Sequence, residues 1–450
     1  MTSRWRRLAT ATAVLAVLAT GCVQQVPGLG SYGAAPTRAP DAKIEIRNTD
    51  HGPIDSLAGN AISDIQQFWS KEMADDFHRP YRPVSAFYSI DPDGTVAAPC
   101  TDEPADIRGN AFYCPSRDIV AWDRKVLLPQ LQQRFGDFLV AMVLAHEWGH
   151  AIQKRTTLPS DHTIVVETQA DCYAGAFTAW ALHGNAPHFD ITRPDLDRAL
   201  SGFLLFSDPV GANASDRQAH GSGFDRVSAF QDGYEQGVPF CAKFDDNRTF
   251  TQIGFQSARD QDQNGNLPLA QTLDQGPKDV DAYWKSSYQK LYGQPWKPLA
   301  GVKPFTDADR PQCDGQPVLD AQYCAADDTI YYDTDALGKV YKQVNGDFGA
   351  ISLVGIAYGQ AVRERRGEST STDSESSLLS AICATGGYAR DAFSQTDRTR
   401  LSLSPGDLDE AIRALLEAAG SSQFTNVHTT TGFDRVQAFR DGFNNARSCK

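Results

Sequence analysis

His146-Glu147-Trp148-Gly149-His150 decides the reading of this chain. In a helix, residues four apart project from one face, so the two histidines can meet one Zn2+ while Glu147 leans over a water on that metal. The stretch ends a longer pattern. Leu131, Phe135, Phe138, Leu139, Met142 and Val143 recur at helical spacing, and His146 and His150 continue the same apolar stripe. Two core-facing imidazoles need partners, and one metal ion satisfies both.

A catalytic zinc needs a third protein ligand and one open position. Glu167-Thr168-Gln169-Ala170-Asp171 places both carboxylates on one face of a following helix. Glu167 can complete the coordination, and Asp171 can accept the outer ring N–H of a ligand histidine and fix its tautomer. Val165, Val166 and the run Ala170-Asp171-Cys172-Tyr173-Ala174-Gly175-Ala176-Phe177 are too apolar for a wet helix. A developing oxyanion needs a second donor besides the metal. The candidates are His220, in the turn Ala219-His220-Gly221-Ser222-Gly223, and Tyr173 beside Cys172.

Further out lies an internal repeat. Gly223-Phe224-Asp225-Arg226-Val227-Ser228-Ala229-Phe230-Gln231-Asp232-Gly233-Tyr234 is echoed by Gly432-Phe433-Asp434-Arg435-Val436-Gln437-Ala438-Phe439-Arg440-Asp441-Gly442-Phe443. Gly136-Asp137-Phe138 likewise answers Gly346-Asp347-Phe348, Tyr113-Cys114 answers Tyr323-Cys324, and Phe68-Trp69 answers Tyr283-Trp284. The near-constant offset predicts two related domains, 46–250 and 258–450, joined by the polar stretch around Arg259-Asp260-Gln261-Asp262. The second copy has lost the chemistry: Ile356, Ala357 and Gln360 stand opposite His146, Glu147 and His150, and Leu378 and Ile382 opposite Glu167 and Asp171. One zinc per chain is expected, with the second copy lacking the metal site.

The repeat also orders the cysteines. Cys100 and Cys114 bracket a short acidic loop as Cys313 and Cys324 do, and Cys172 and Cys241 recur as Cys383 and Cys449. Pairing 100 with 114, 172 with 241, 313 with 324 and 383 with 449 is the simplest connectivity that preserves the repeat, although sequence alone allows others. The ninth cysteine stands apart. Arg4, Arg6 and Arg7 precede an uncharged, mostly apolar run, Leu8 to Gly21, too short to span a bilayer, which ends in Leu18-Ala19-Thr20-Gly21-Cys22. This resembles a bacterial lipobox, so residues 1–21 read as a lipoprotein signal, Cys22 as the lipidated residue and 22–45, rich in Gly and Pro, as a flexible tether. The expected place is the extracytoplasmic face of the cell membrane, where disulfides persist.

Among 450 residues, Lys and Arg total 42 against 56 Asp and Glu, a formal net charge of −14. That excludes nucleic acid as a partner bound through a basic patch.

Taken together, residues 60–245 resemble the putative neutral zinc metallopeptidase family of bacteria, within the wider gluzincin class. The resemblance rests on Phe112-Tyr113-Cys114-Pro115, His146-Glu147-x-Gly149-His150, Glu167-x-Gln169-Ala170-Asp171-Cys172-Tyr173-Ala174-Gly175, and His220-Gly221-Ser222 followed by Asp225-Arg226. It implies His146, His150 and Glu167 as zinc ligands and Glu147 as catalytic acid/base. It also implies a mostly helical α+β zincin-like fold, with strand-like runs at Asp118-Ile119-Val120-Ala121-Trp122 and Thr329-Ile330-Tyr331-Tyr332 forming a sheet edge before each copy's long helix. Members of the family often have one domain behind a membrane-spanning anchor, whereas this chain has a lipid-type signal and a second copy. The function expected is a membrane-tethered zinc peptidase acting on a peptide or protein substrate. The alternative is a non-catalytic, zinc-stabilised scaffold lipoprotein.

Overall fold

The computed structural model describes residues 38–449 apart from 213–218, 372–373, 398, 418–420, 426 and 428–429. The signal segment and Cys22 lie outside the described residues. The fold is mixed α and β and mostly helical. None of the described helices is long and apolar enough to cross a membrane.

In the first half the order is β1 (Ile46–Arg47), α1 (Pro53–Asp75), β2 (Ala86–Ile90), β3 (Ala111–Cys114), β4 (Ile119–Asp123), α2 (Leu127–Phe135), α3 (Asp137–Arg155), α4 (Thr163–Trp180), α5 (Arg193–Phe203), α6 (Gly223–Gln236) and α7 (Val238–Cys241). The sheet runs β1-β2-β4-β3, with β1, β2 and β4 parallel and β3 antiparallel to β4. The short apolar run 119–123 is therefore buried inside the sheet; β3 is the edge that faces α3. The apolar stripe from Leu131 to His150 is not one helix. Gly136, at φ +91°, ends α2 and lets α3 start in a new direction, a conformation that side chains resist. Residues 38–45, expected to belong to the tether, are instead anchored. Ala39 N donates to the Pro187 carbonyl at 2.9 Å, Ala42 N donates to Asn60 Oδ1 at 2.8 Å, and Ile44 packs on the core.

The second half follows with α8 (Ala258–Asp262), α9 (Leu269–Tyr292), β5 (Gly301–Phe305), β6 (Gln312–Cys313), β7 (Gln316–Pro317), β8 (Ala321–Cys324), β9 (Thr329–Asp333), α10 (Thr334–Val344), α11 (Phe348–Arg365), α12 (Glu375–Phe393), α13 (Asp407–Glu417), α14 (Ser422–Thr425) and α15 (Gly432–Asn444). Its main sheet runs β5-β9-β8, again parallel and then antiparallel.

Backbone meets backbone where α4 crosses α6. A Cβ on Gly175 would lie 1.9 Å from the Phe230 carbonyl oxygen, and one on Gly233 would lie 1.7 Å from that of Cys172. The crossing of α12 and α15 is built alike, with Gly386 against the Phe439 oxygen at 1.9 Å and Gly442 against that of Cys383 at 1.8 Å. Disulfides join Cys100 to Cys114, Cys172 to Cys241, Cys313 to Cys324 and Cys383 to Cys449. The second and fourth each close a loop of more than sixty residues, long enough for cross-linking to restrict the unfolded chain by roughly 4 kcal/mol.

From Arg38 onward the chain forms one compact unit. The halves are held together by a reciprocal exchange of helix caps. Asp197 of α5 accepts the amides of Gly432 and Phe433 at the start of α15, at 2.5 and 2.8 Å. Asp409 of α13 accepts those of Gly223 and Phe224 at the start of α6, both at 2.8 Å. A carboxylate at a helix N-terminus satisfies orphan N–H groups and favours the helix dipole. Phe224 packs edge-on to Phe443, and Tyr234 packs on Phe433.

Candidate metal centre

Helix α3 is buried along most of its length, and its His146 and His150 face α4. The close approach is set at Gly149, whose Cβ would fall 2.7 Å from the Cα of Ala170. That brings Glu167 across from both rings: His146 Nε2 lies 3.3 Å from Glu167 Oε2, and His150 Nε2 lies 3.5 Å from Oε1. The three residues offer ligand atoms within 4.8 Å of one another.

The other nitrogen of each ring is already engaged. His146 Nδ1 meets Asp171 Oδ1 at 2.7 Å, and His150 Nδ1 meets Gln153 Oε1 at 2.9 Å. Asp171 is fully buried and is held in turn by Arg226, whose Nε and Nη2 donate to its two oxygens at 2.9 and 2.8 Å. Gln153 is fixed by donating Nε2–H to the Val166 carbonyl at 2.7 Å. Both Nε2 atoms are therefore directed toward Glu167. Four ligands around zinc at the usual bond lengths stand about 3.3 Å apart, so two imidazoles and one carboxylate at these spacings fit a zinc ion.

Glu147 stands beside this set without joining it. Its Oε2 accepts the Tyr113 amide from β3 at 2.9 Å, which turns the carboxylate into a cavity of about 730 Å3. The cavity walls include Phe112, Leu127, Val143, Phe203, Leu205 and Phe206. Burial raises the Glu147 pKa above its ordinary value, against the pull of the two histidines. Burial also pushes His146 down, but the Asp171 charge and hydrogen bond, with Glu167 behind them, lift it to about 10. Glu167 is penalised by burial too, yet its two histidine partners hold it well below the ordinary range.

The two candidate oxyanion donors part company. His220 lines the cavity, with 49% of its side chain exposed and Nδ1 3.5 Å from Asp208 Oδ1. Its turn is organised by Asp208, which accepts the amides of His220 and Gly221. Tyr173 is core: its ring packs edge-on to Trp69, it does not line the cavity, and burial pushes its hydroxyl far up. Three supports were not read from sequence. Arg226 acts across the α4–α6 crossing and the Tyr113 amide across the β3 edge, both long-range. Gln153 lies three residues after His150, a helical neighbour that the spacing could have shown.

In the second half, among the described residues, no histidine–carboxylate set stands at the corresponding place. Ile356, Ala357 and Ile382 are fully buried, and Leu378 nearly so. Gln360 Oε1 accepts the Tyr323 amide at 3.0 Å, as Glu147 accepts that of Tyr113. Arg435 donates to the Leu415 and Thr430 carbonyls and forms no ion pair among the described residues, and burial lowers its pKa.

Comparison with known proteins agrees with this chemistry. The chain is 28% identical over 180 residues to the uncharacterized protein Rv2575 of Mycobacterium tuberculosis, covering 34% of this chain and 60% of that protein. It is 27% identical over 152 residues to YpfJ of Escherichia coli K12, covering 28% of this chain and 51% of that protein. The chain thus spans less than two thirds of the curated relatives it matches. No solved structure matches it. Residues 13–244 match the family described as "Putative neutral zinc metallopeptidase", and the chain belongs to that family.

Proposed function

We propose that this chain is a zinc-dependent peptidase that hydrolyses peptide bonds with Glu147 as general acid/base. The observation that carries the reading is the division of labour around one cavity: His146, His150 and Glu167 converge, while the Tyr113 amide keeps Glu147 out of that set and beside it. A zinc held by the three would supply Lewis acidity to a scissile carbonyl and to a water. Glu147 takes the proton of the attacking water and passes it to the leaving amine. His220 stands at the cavity wall as the donor to the developing oxyanion. Phe203, Leu205 and Phe206 bind apolar side chains of the substrate and exclude water.

The reading extends to place and architecture. Arg4, Arg6, Arg7 and the Leu18-to-Cys22 lipobox support an extracytoplasmic lipoprotein, and four disulfides suit an oxidising compartment. Residues 258–450 act as a pseudo-peptidase copy that buttresses 46–250 through the exchanged caps of Asp197 and Asp409. The test is cleavage of a peptide library by the purified chain with zinc present and after chelation. Chelator-sensitive cleavage supports the reading; a zinc-loaded chain that cleaves nothing overturns it in favour of the scaffold alternative.

A further inference from the structure

Asp347, Asp407 and Glu410 form a second cluster, remote in sequence from the zinc ligands. Each is at least 94% buried, and each offers an oxygen within 4.8 Å of the others. Asp347 Oδ2 accepts the Leu267 amide at 2.8 Å, Asp407 Oδ2 that of Ser404 at 2.8 Å, and Glu410 Oε2 that of Phe348 at 2.9 Å. The remaining oxygens of both aspartates, Oδ1 in each case, are buried without a hydrogen-bond partner. Both aspartates line a cavity of about 260 Å3 with Asp260, Gly265 and Leu267.

Arg413, one turn further along α13, draws the Glu410 pKa down but makes no ion pair with it. Among the described residues no Lys, Arg or His forms an ion pair with any of the three, and Arg400, on the same cavity wall, is spent on Asp279 and Asp391. Burial raises all three pKa values, and neighbouring carboxylates add to it: Asp260 at Asp347, Asp347 with Glu410 at Asp407, and Asp347 with Asp409 at Glu410. The first half balances the corresponding place differently. Matching α5 to α13 through their capping residues Asp197 and Asp409 puts Asp195 opposite Asp407 and Arg198 opposite Glu410. Arg198 pairs with Asp195 there, and Asp137, the counterpart of Asp347, pairs with Arg38 at 3.6 Å. The second half has a third carboxylate where the first has a cation. Glu410 is built in tightly, because a Cβ on Gly346 would overlap its carboxylate.

We propose that Asp347, Asp407 and Glu410 bind one Ca2+ ion. All the donors are oxygens, which selects a hard cation, and the adjoining cavity has room for the waters that complete a six- to eight-oxygen shell. The ion ties the segment at Leu267 and the start of α11 to the first turn of α13. Asp409 in that turn caps α6, the helix whose Arg226 holds Asp171 behind His146.

The test uses the zinc-loaded full chain in buffer stripped of calcium, titrated calorimetrically with CaCl2 and melted with CaCl2, MgCl2 or neither. One Ca2+ per chain is expected, with Tm raised by about 4 °C or more at saturation and a smaller rise with Mg2+. Asp407→Asn and Glu410→Gln should weaken calcium binding at least tenfold without lowering Tm in calcium-free buffer, since neither breaks an ion pair. No binding at millimolar calcium overturns the proposal and leaves a proton-sharing carboxyl cluster only. An undiminished calcium shift in both variants overturns the assignment to these residues, and an equal Mg2+ response overturns the choice of ion.

Discussion

In α3 the Glu147 carboxylate accepts the Tyr113 amide from the sheet edge; in α11 the Gln360 side chain, starting one turn nearer the C-terminus, accepts the Tyr323 amide instead. Around these bonds the two halves use the same supports. Arg155 reaches Asp118 and the Tyr113 hydroxyl, and Arg365 reaches Asp328 and the Tyr323 hydroxyl. What differs is buried charge. The first half keeps two histidines, two glutamates and an Asp171–Arg226 pair within its core, whereas the second puts hydrocarbon there and a neutral amide against the strand. Buried charge is costly unless paired or metal-bound. The second half carries neither the ligands nor an acidic partner for its arginine in these places, and Arg435 is turned to backbone carbonyls.

The sharpest way to break this comparison is Glu147→Gln. It should reduce peptide hydrolysis by roughly 10³-fold or more with zinc content unchanged, because the amide still accepts from Tyr113 but takes no proton. Gln360→Glu in the other half should create neither hydrolysis nor a zinc site. His220→Ala should lower kcat by roughly 10² to 10³ with little change in KM; a rate equal to wild type would make His220 an ordinary loop residue. Arg226→Ala frees Asp171 and should weaken zinc binding by roughly 10- to 100-fold, read by competition with a chromogenic chelator, while Arg435→Ala leaves zinc affinity untouched. The smallest effect is expected at the joint between the halves. Asp197→Ala and Asp409→Ala should each cost about 1 kcal/mol of unfolding free energy, measured by denaturant titration, and unequal losses would show that the exchange of caps is not symmetrical.

Much of the candidate site was legible because it is local. Histidines four apart on an apolar stripe and carboxylates four apart on the next one specify faces of two helices, and faces that must be buried find each other. Short-range punctuation escapes the pattern at Gly136, where a positive-φ residue splits a stripe that reads continuously, and at Ile44, whose packing on the core holds down a segment otherwise composed like a tether. Tyr173 shows the limit of adjacency: it follows Asp171 by two residues and, at helical spacing, faces Trp69 instead of the cavity. The joint between the halves was not legible at all. It depends on Asp197 meeting the amides of Gly432 and Phe433, a pairing of two distant helices for which no short-range pattern exists. That interlock also means that either half made alone would expose uncapped helix ends, so metal content is best measured on the full chain.

Zinc stoichiometry of that full chain tests the central claim most directly. Metal analysis of the purified protein, of His150→Ala and of Gln360→Ala, each after equilibration with limiting free zinc, should give one zinc per chain for the first and third and essentially none for the second. Two zinc ions per chain, or one that survives His150→Ala, would contradict the assignment of a single metal centre to the first half.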